Sequence, residues 1–308
     1  MSALAMPTRS ATAPVVLGAP RSVWSAQAVL GEGALWSVRE QALFWVDILG
    51  HQLHRFCPAA QTRDSWAFDE EISAVAERTQ GPGLLVTLRH DLAIFDPETS
   101  RLQRLHRPEP AQPGNRFNDG KCDAQGRFWG GTMDFACQAP TGALYRYSGG
   151  STCTRMHTGF AVTNGPTWSL DGRTLYFNDT VQGRVHAFAV DPTTGALGAA
   201  RLWLQLGPED GFPDGMTTDA AGRIWIAHWG AACVTCHDPD SALELARITL
   251  PTSHITSCAF GGPDLRTLYI TSACSGLNSQ QVLSQPLAGA LFSVAIDSPG
   301  LPAHRFAG

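Results

Sequence analysis

The amino-acid sequence predicts an all-β protein, a six-bladed β-propeller with four-stranded blades whose ring is closed by a strand near the N-terminus. Three observations carry this reading. Strand-like runs rich in aromatic and β-branched residues recur in six self-similar units with a period of roughly 40–50 residues, the length of one propeller blade. Gly, Asp and Pro turns separate the runs, drawing on 31 Gly and 20 Pro. No stretch sustains the 3.6-residue apolar periodicity of an amphipathic helix.

The units follow in order. The first leads from Gly31-Glu-Gly-Ala-Leu-Trp36 into Ala42-Leu-Phe-Trp-Val-Asp47 and Gln52-Leu-His-Arg-Phe56. The second runs from Ile72 through Gly83-Leu-Leu-Val-Thr87 to Leu92-Ala-Ile-Phe95, and the third from Asn118 through Arg127-Phe-Trp129 to Gly142-Ala-Leu-Tyr145. The fourth begins at Asn164 and turns at Asp171-Gly172; the fifth begins at Pro213-Asp-Gly-Met216 and turns at Ala221-Gly222. The sixth runs from Thr256-Ser-Cys-Ala-Phe260 to Gly289-Ala-Leu-Phe292. Asp-Gly and Ala-Gly between apolar runs fit tight hairpins. Two stacked β-sandwiches would need a linker near the middle, and the sequence has none. Residues 22–30 form a leading strand that is expected to join the last blade and close the ring. The expected organisation is a disordered tail over residues 1–20 and one propeller domain over 21–308.

Composition narrows the function classes. A chain of 308 residues buries roughly 75% of its unfolded surface and needs no disulfide staples. Its eight cysteines, most of them inside strand-like runs, read as reduced and buried thiols. Net charge is −5 and no basic run is present, which argues against a nucleic-acid partner. No apolar run reaches the 18 residues of a membrane span. Residues 1–20 lack the basic start and continuous apolar core of a signal peptide, so a cytoplasmic protein is expected, as a monomer or weak homo-oligomer. Lys121 is the only lysine, which reads as composition bias.

The unit heads carry the chemistry. In a propeller the innermost strand of each blade lines a central channel, so equivalent positions face one another. The heads are Glu32, Glu71 or Ile72, Asn118, Asn164, Asp214 and Thr256. An isolated Asn-Gly or Asp-Gly is a turn dipeptide. Here the hairpin turns lie elsewhere in each unit, so the heads are surplus to that need. Glu32, Asn118, Asn164 and Asp214 would bring two carboxylates and two amide oxygens to one mouth of the channel. Close carboxylates repel unless a cation sits between them. An oxygen-rich set suits Ca²⁺, Mg²⁺ or Mn²⁺, with Zn²⁺ and Fe²⁺ also open.

With these residues in view, the chain resembles the SMP-30/gluconolactonase/LRE family. The resemblance rests on Gly31-Glu-Gly33, Arg116-Phe-Asn-Asp-Gly-Lys121, Gly131-Thr-Met133, Asn164-Gly165 and Pro213-Asp-Gly-Met216. The tail motifs Thr256-Ser-Cys-Ala-Phe-Gly-Gly262, Gly289-Ala-Leu-Phe292 and Arg305-Phe-Ala-Gly308 extend it over nearly the whole chain from about residue 22. It implies a six-bladed propeller and a divalent metal held by Glu32, Asn164 and Asp214. It also implies sugar-lactone contacts from Arg116 and Asn118, and Asp214 as the catalytic residue. Animal members carry an acid shortly after Gly-Thr-Met; here the equivalent acid is either Asp134, which then joins the substrate-binding set, or missing. The short, Trp-rich form looks more like the bacterial sugar lactonases, which implies gluconolactonase, arabinonolactonase or xylonolactonase activity. The alternatives are a calcium-binding regulator like the animal members and a non-catalytic propeller scaffold. The pattern Cys233-Val-Thr-Cys236-His237 matches a haem-attachment motif. On a strand, however, positions 233 and 236 point to opposite faces, so it reads as structural.

Overall fold

A computed structural model describes residues 12–308. Its strands form six four-stranded antiparallel sheets. Blade 1 comprises Gly31–Ser37, Ala42–Asp47, Gln52–Cys57 and Thr62–Ala67; blade 2 comprises Ile72–Glu77, Leu84–Leu88, Leu92–Asp96 and Arg101–His106. Blade 3 starts with Asn115–Cys122, blade 4 with Thr163–Trp168, blade 5 with Phe212–Thr218 and blade 6 with Ile255–Gly261. In every blade the first strand in this order lines the channel. The described residues contain one short α-helix, Ser279–Ser284, and no helix long and apolar enough to cross a membrane.

Six apolar clusters lie one between each pair of adjacent blades, so the core is a ring of seams. Phe44 and Val46 of blade 1 pack with Val75 and Val86 of blade 2, for example. The ring closes through Trp36 and Trp45 of blade 1 against Tyr269 and Leu291 of blade 6, with Trp36 stacked on Tyr269. Burying a large aromatic side chain stabilises by about 2–3 kcal/mol, and each seam uses at least two.

Closure follows the sequence expectation in kind but not in extent. The closing strand is Val16–Trp24, which pairs antiparallel with Leu291–Ile296 of blade 6. It begins at Val16 rather than Ser22, so residues 16–20 belong to the propeller and not to a tail; residues 1–11 lie outside the described residues. Strand pairing holds it there, because its side chains are mostly partly exposed. At the other terminus, Gly300 bridges to Asp219 of blade 5 and Phe306 to Arg78 of blade 2. The C-terminal segment therefore crosses one end of the channel, here called the bottom.

Two bottom hairpins repeat a device in sequence and structure: Asp123-Ala-Gln-Gly-Arg127-Phe-Trp129 and Asp219-Ala-Ala-Gly-Arg223-Ile-Trp225. Each Asp accepts from the Arg Nε at 2.6 Å and from the Trp indole at 2.8 or 2.9 Å. The Gly sits at positive φ, 78° and 86°, a turn geometry that a side chain disfavours. Breaking a buried ion pair from one side leaves an uncompensated charge. Asp219→Ala is therefore expected to cost about 3–5 kcal/mol in chemical denaturation. Asp64→Ala, which breaks a partly exposed pair with Arg55, should cost at most about 1 kcal/mol. Equal losses would contradict this account.

Candidate functional site

One backbone irregularity recurs in all six channel-lining strands. Pairing with the second strand breaks between Glu32 and Leu35, Ile72 and Ala74, Phe117 and Gly120, Asn164 and Thr167, Pro213 and Met216, and Ile255 and Cys258. A β-bulge re-aims side chains, and six bulges at one level give the channel a ring of redirected residues. Glu32, Asn118, Asn164 and Asp214 sit in this ring and are all buried. The blade 2 head is corrected: Ile72 pairs with Leu88 as core, and the bulge sets Ser73 apart, bonded to Thr87. Glu71 lies just before the strand. Thr256 donates to the carbonyl of Gly31 and ties blade 6 to blade 1.

Hydrogen bonds fix the amides across three blades. Arg116 Nη1 donates to Asn118 Oδ1 at 2.6 Å, and Asn118 Nδ2 donates to Asn164 Oδ1 at 2.9 Å. Asn164 Nδ2 donates to the Thr180 hydroxyl at 3.0 Å, which donates to the carbonyl of Pro213 at 2.9 Å. Asn178 Nδ2 donates to the carbonyl of Asp214. Sequence reasoning missed Thr180 and Asn178, because nothing in a strand pattern marks which polar residue supports a neighbouring blade.

Glu32 and Asp214 form the electrostatic centre. Burial raises the proton affinity of both carboxyls well above the ordinary value; for Glu32 the next causes are the charges of Asp214 and Asp119. Glu32 Oε2 accepts from the N–H of Gly33 at 3.0 Å, and Asp214 Oδ1 is buried without a hydrogen-bond partner. An orphaned carboxylate oxygen beside a second carboxylate is costly unless a cation or proton joins them. These carboxylate oxygens, with the amide of Asn164 in the same ring of redirected channel residues, are of the donor type that suits a hard divalent cation. Among the described residues no group of three or more His, Cys, Asp or Glu could hold a metal ion. The candidate set has two carboxylates and draws its remaining oxygen from an amide.

The rim above this ring carries Arg89, Glu71 and Phe135. The Phe135 ring faces two guanidiniums, Arg89 at 4.8 Å and Arg116 at 5.9 Å, and Arg89 lies 3.7 Å from Glu71. Burial lowers the Arg116 pKa from its ordinary value. Its Nη1 is spent on Asn118 and the carbonyl of Phe117. Asp134 is placed differently from the other candidates. Its carboxylate accepts from the backbone N–H groups of Ala136, Gln138 and Ala139, so it folds its own loop and thereby sets Phe135 over Arg116. Cys233 and Cys236 are free and buried, and His237 bonds to Thr235 and the carbonyl of Ala242.

Comparison with known proteins matches the SMP-30/Gluconolactonase/LRE-like region to residues 30–274. A 6-deoxy-6-sulfogluconolactonase of Pseudomonas putida is 35% identical over 281 residues, covering 91% of this chain and 96% of that protein. A pentonolactonase, XacC, of Haloferax volcanii is 34% identical over 283 residues, covering 90% and 94%. A calcium-binding protein, regucalcin, of Agrobacterium tumefaciens superposes with a TM-score of 0.88 at 29% identity, covering 94% of this chain and 98% of that one.

The raised carboxyls have a consequence for the metal-free protein. Its folded state holds protons on Glu32 and Asp214 more tightly than the unfolded chain does, so their contribution to stability falls as pH rises. In EDTA, wild type is expected to lose thermal midpoint relative to Glu32→Gln as pH rises above the ordinary carboxylate range. A pH-independent difference between the two would contradict the geometry.

Proposed function

The chain belongs to the SMP-30/Gluconolactonase/LRE-like family, and from that premise we propose that it hydrolyses a sugar lactone to the aldonic acid at the top of the channel, with one divalent cation held by Glu32, Asn164 and Asp214. The observation that carries the reading is the orphaned Asp214 Oδ1 beside Glu32, next to an arginine with unspent N–H groups. The oxygen donors favour Ca²⁺, Mg²⁺ or Mn²⁺. The lactonase relatives support a carboxylic ester hydrolase acting on a sugar lactone.

Lactone hydrolysis adds water to the ring carbonyl and breaks its bond to the ring oxygen, which leaves as a hydroxyl. The bound cation supplies Lewis acidity toward the carbonyl and lowers the pKa of water. Arg116 holds the sugar or its carbonyl through the N–H groups not spent on Phe117 and Asn118. Asn118 is locked between Arg116 and Asn164, so it presents one fixed face to the substrate. Fixed polar groups need no reorganisation as charge develops, which is where such sites gain rate. Asp214 carries the catalytic role by ligating and orienting; a carboxylate that shares a dication has a lowered pKa and is a poor base at neutral pH. Asp134 supports the site by shaping the loop that carries Phe135.

A pH-indicator assay on glucono-, xylono-, arabinono- and galactonolactone, with and without EDTA, should show metal-dependent acid release from at least one. Silence on all four would contradict the reading. Arg116→Ala should lower kcat/KM by about 10²-fold or more. Asp214→Asn should lose metal affinity along with turnover; unchanged affinity with collapsed turnover would make Asp214 a base instead.

A further inference from the structure

The motif Asn118-Asp-Gly-Lys121 contains two charged residues that the proposed chemistry does not use. Asp119 is buried in the channel one residue beyond Asn118. Its Oδ1 accepts from the N–H of Gly120 at 2.7 Å, and its Oδ2 is buried without a partner. The Asp119 charge acts on both Glu32 and Asp214. Burial raises the Asp119 pKa, and Lys121 is the largest influence opposing it.

Lys121 reaches across the channel. It leaves blade 3, passes blade 4 and donates its Nζ to the carbonyl of Met216 in blade 5, two residues beyond Asp214. Blade 4 offers Gly165 near this level, where a Cβ would come within 2.6 Å of the Met216 side chain. A cavity of about 510 Å³ lies below, lined by Asp119 and Lys121 among others and bounded by Leu301, Pro302 and His304 of the C-terminal segment. This cavity is at the opposite end of the channel from Arg116 and Phe135.

A buried carboxylate with an orphaned oxygen needs a compensating charge. Lys121 supplies one from beneath, while Glu32 and Asp214 lie above. We propose that Asp119 is a positioning residue for the divalent cation: its carboxylate, buried in the channel with an orphaned oxygen, adds a third negative charge beneath Glu32 and Asp214 and strengthens the pull on a cation above it. Lys121 is its built-in counter-charge, which lets three carboxylates occupy one channel with a single exchangeable cation. This inference rests on the reading that Glu32, Asn164 and Asp214 hold that cation.

The signs are specific. Asp119→Asn removes an attractive charge and leaves the Lys121 charge repelling the cation without a partner, so both changes weaken binding. Asp119→Asn/Lys121→Met removes both charges and should recover most of the loss. Calorimetric titration of Ca²⁺ and Mn²⁺ into the metal-free proteins should give binding about tenfold weaker for the single variant and within about threefold of wild type for the double variant. An Asp119→Asn affinity within about twofold of wild type overturns the inference and leaves the Glu32/Asn164/Asp214 reading intact. A double variant no tighter than the single one overturns the role of Lys121. No binding by wild type overturns the inference and the reading together. Should the variants fail to fold, wild type itself gives the test. Lys121 is the only lysine, so [ε-¹³C]lysine labelling yields one side-chain resonance. Stoichiometric Ca²⁺ should shift it and Mn²⁺ should broaden it; a resonance indifferent to both overturns the inference.

Discussion

Holding Glu32 and Asp214 side by side away from water is the constraint on which the channel depends. Burial and like charge both work against it, raising the proton affinity of each carboxyl and leaving one Asp214 oxygen unpartnered. A folded protein retains such an arrangement where a rigid frame enforces it and a bound ion offsets its cost. Here blades 1 and 5 bring the two acids together from opposite ends of the ring order, with blade 6 between them.

The frame is the ring of six apolar seams, closed by Val16–Trp24 on blade 6. Each bulge converts that rigidity into side-chain aim, because the seams fix the strand on both sides of the break. The relay from Arg116 through Asn118, Asn164 and Thr180 to the carbonyl of Pro213 then couples blades 3, 4 and 5 at the level of the acids. Interactions that stabilise the fold and interactions that prepare the site are thus largely separate. The Asp–Arg–Trp hairpins staple the bottom, and the polar relay organises the top.

Much of this was legible in the sequence because a propeller repeats. Repetition exposed the blades, and departure from it exposed Glu32, Asn118, Asn164 and Asp214 as residues that no hairpin needed. What escaped notice depends on contacts between blades. Ser73 is not distinguishable from its neighbours until the bulge between Ile72 and Ala74 is seen. Asp134 follows the Gly-Thr-Met run and looks available to a substrate. Its carboxylate is instead taken up by amides two to five residues onward, an Asx-type local bond that competes with any outward role. Lys121 reads in the sequence as a compositional accident, and only the structure shows its Nζ reaching the carbonyl of Met216 in blade 5. The closing strand was placed late because residues 16–21 show neither alternation nor an aromatic run; pairing with Leu291–Ile296 defines them.

A crystal structure of the Mn²⁺-loaded protein, with the ion located by its anomalous scattering, tests the central claim most directly. The account predicts one ion in the upper channel with oxygens of Glu32, Asn164 and Asp214 all at about 2.0–2.6 Å. An ion bound elsewhere, with Glu32 and Asp214 left sharing a proton, would contradict it.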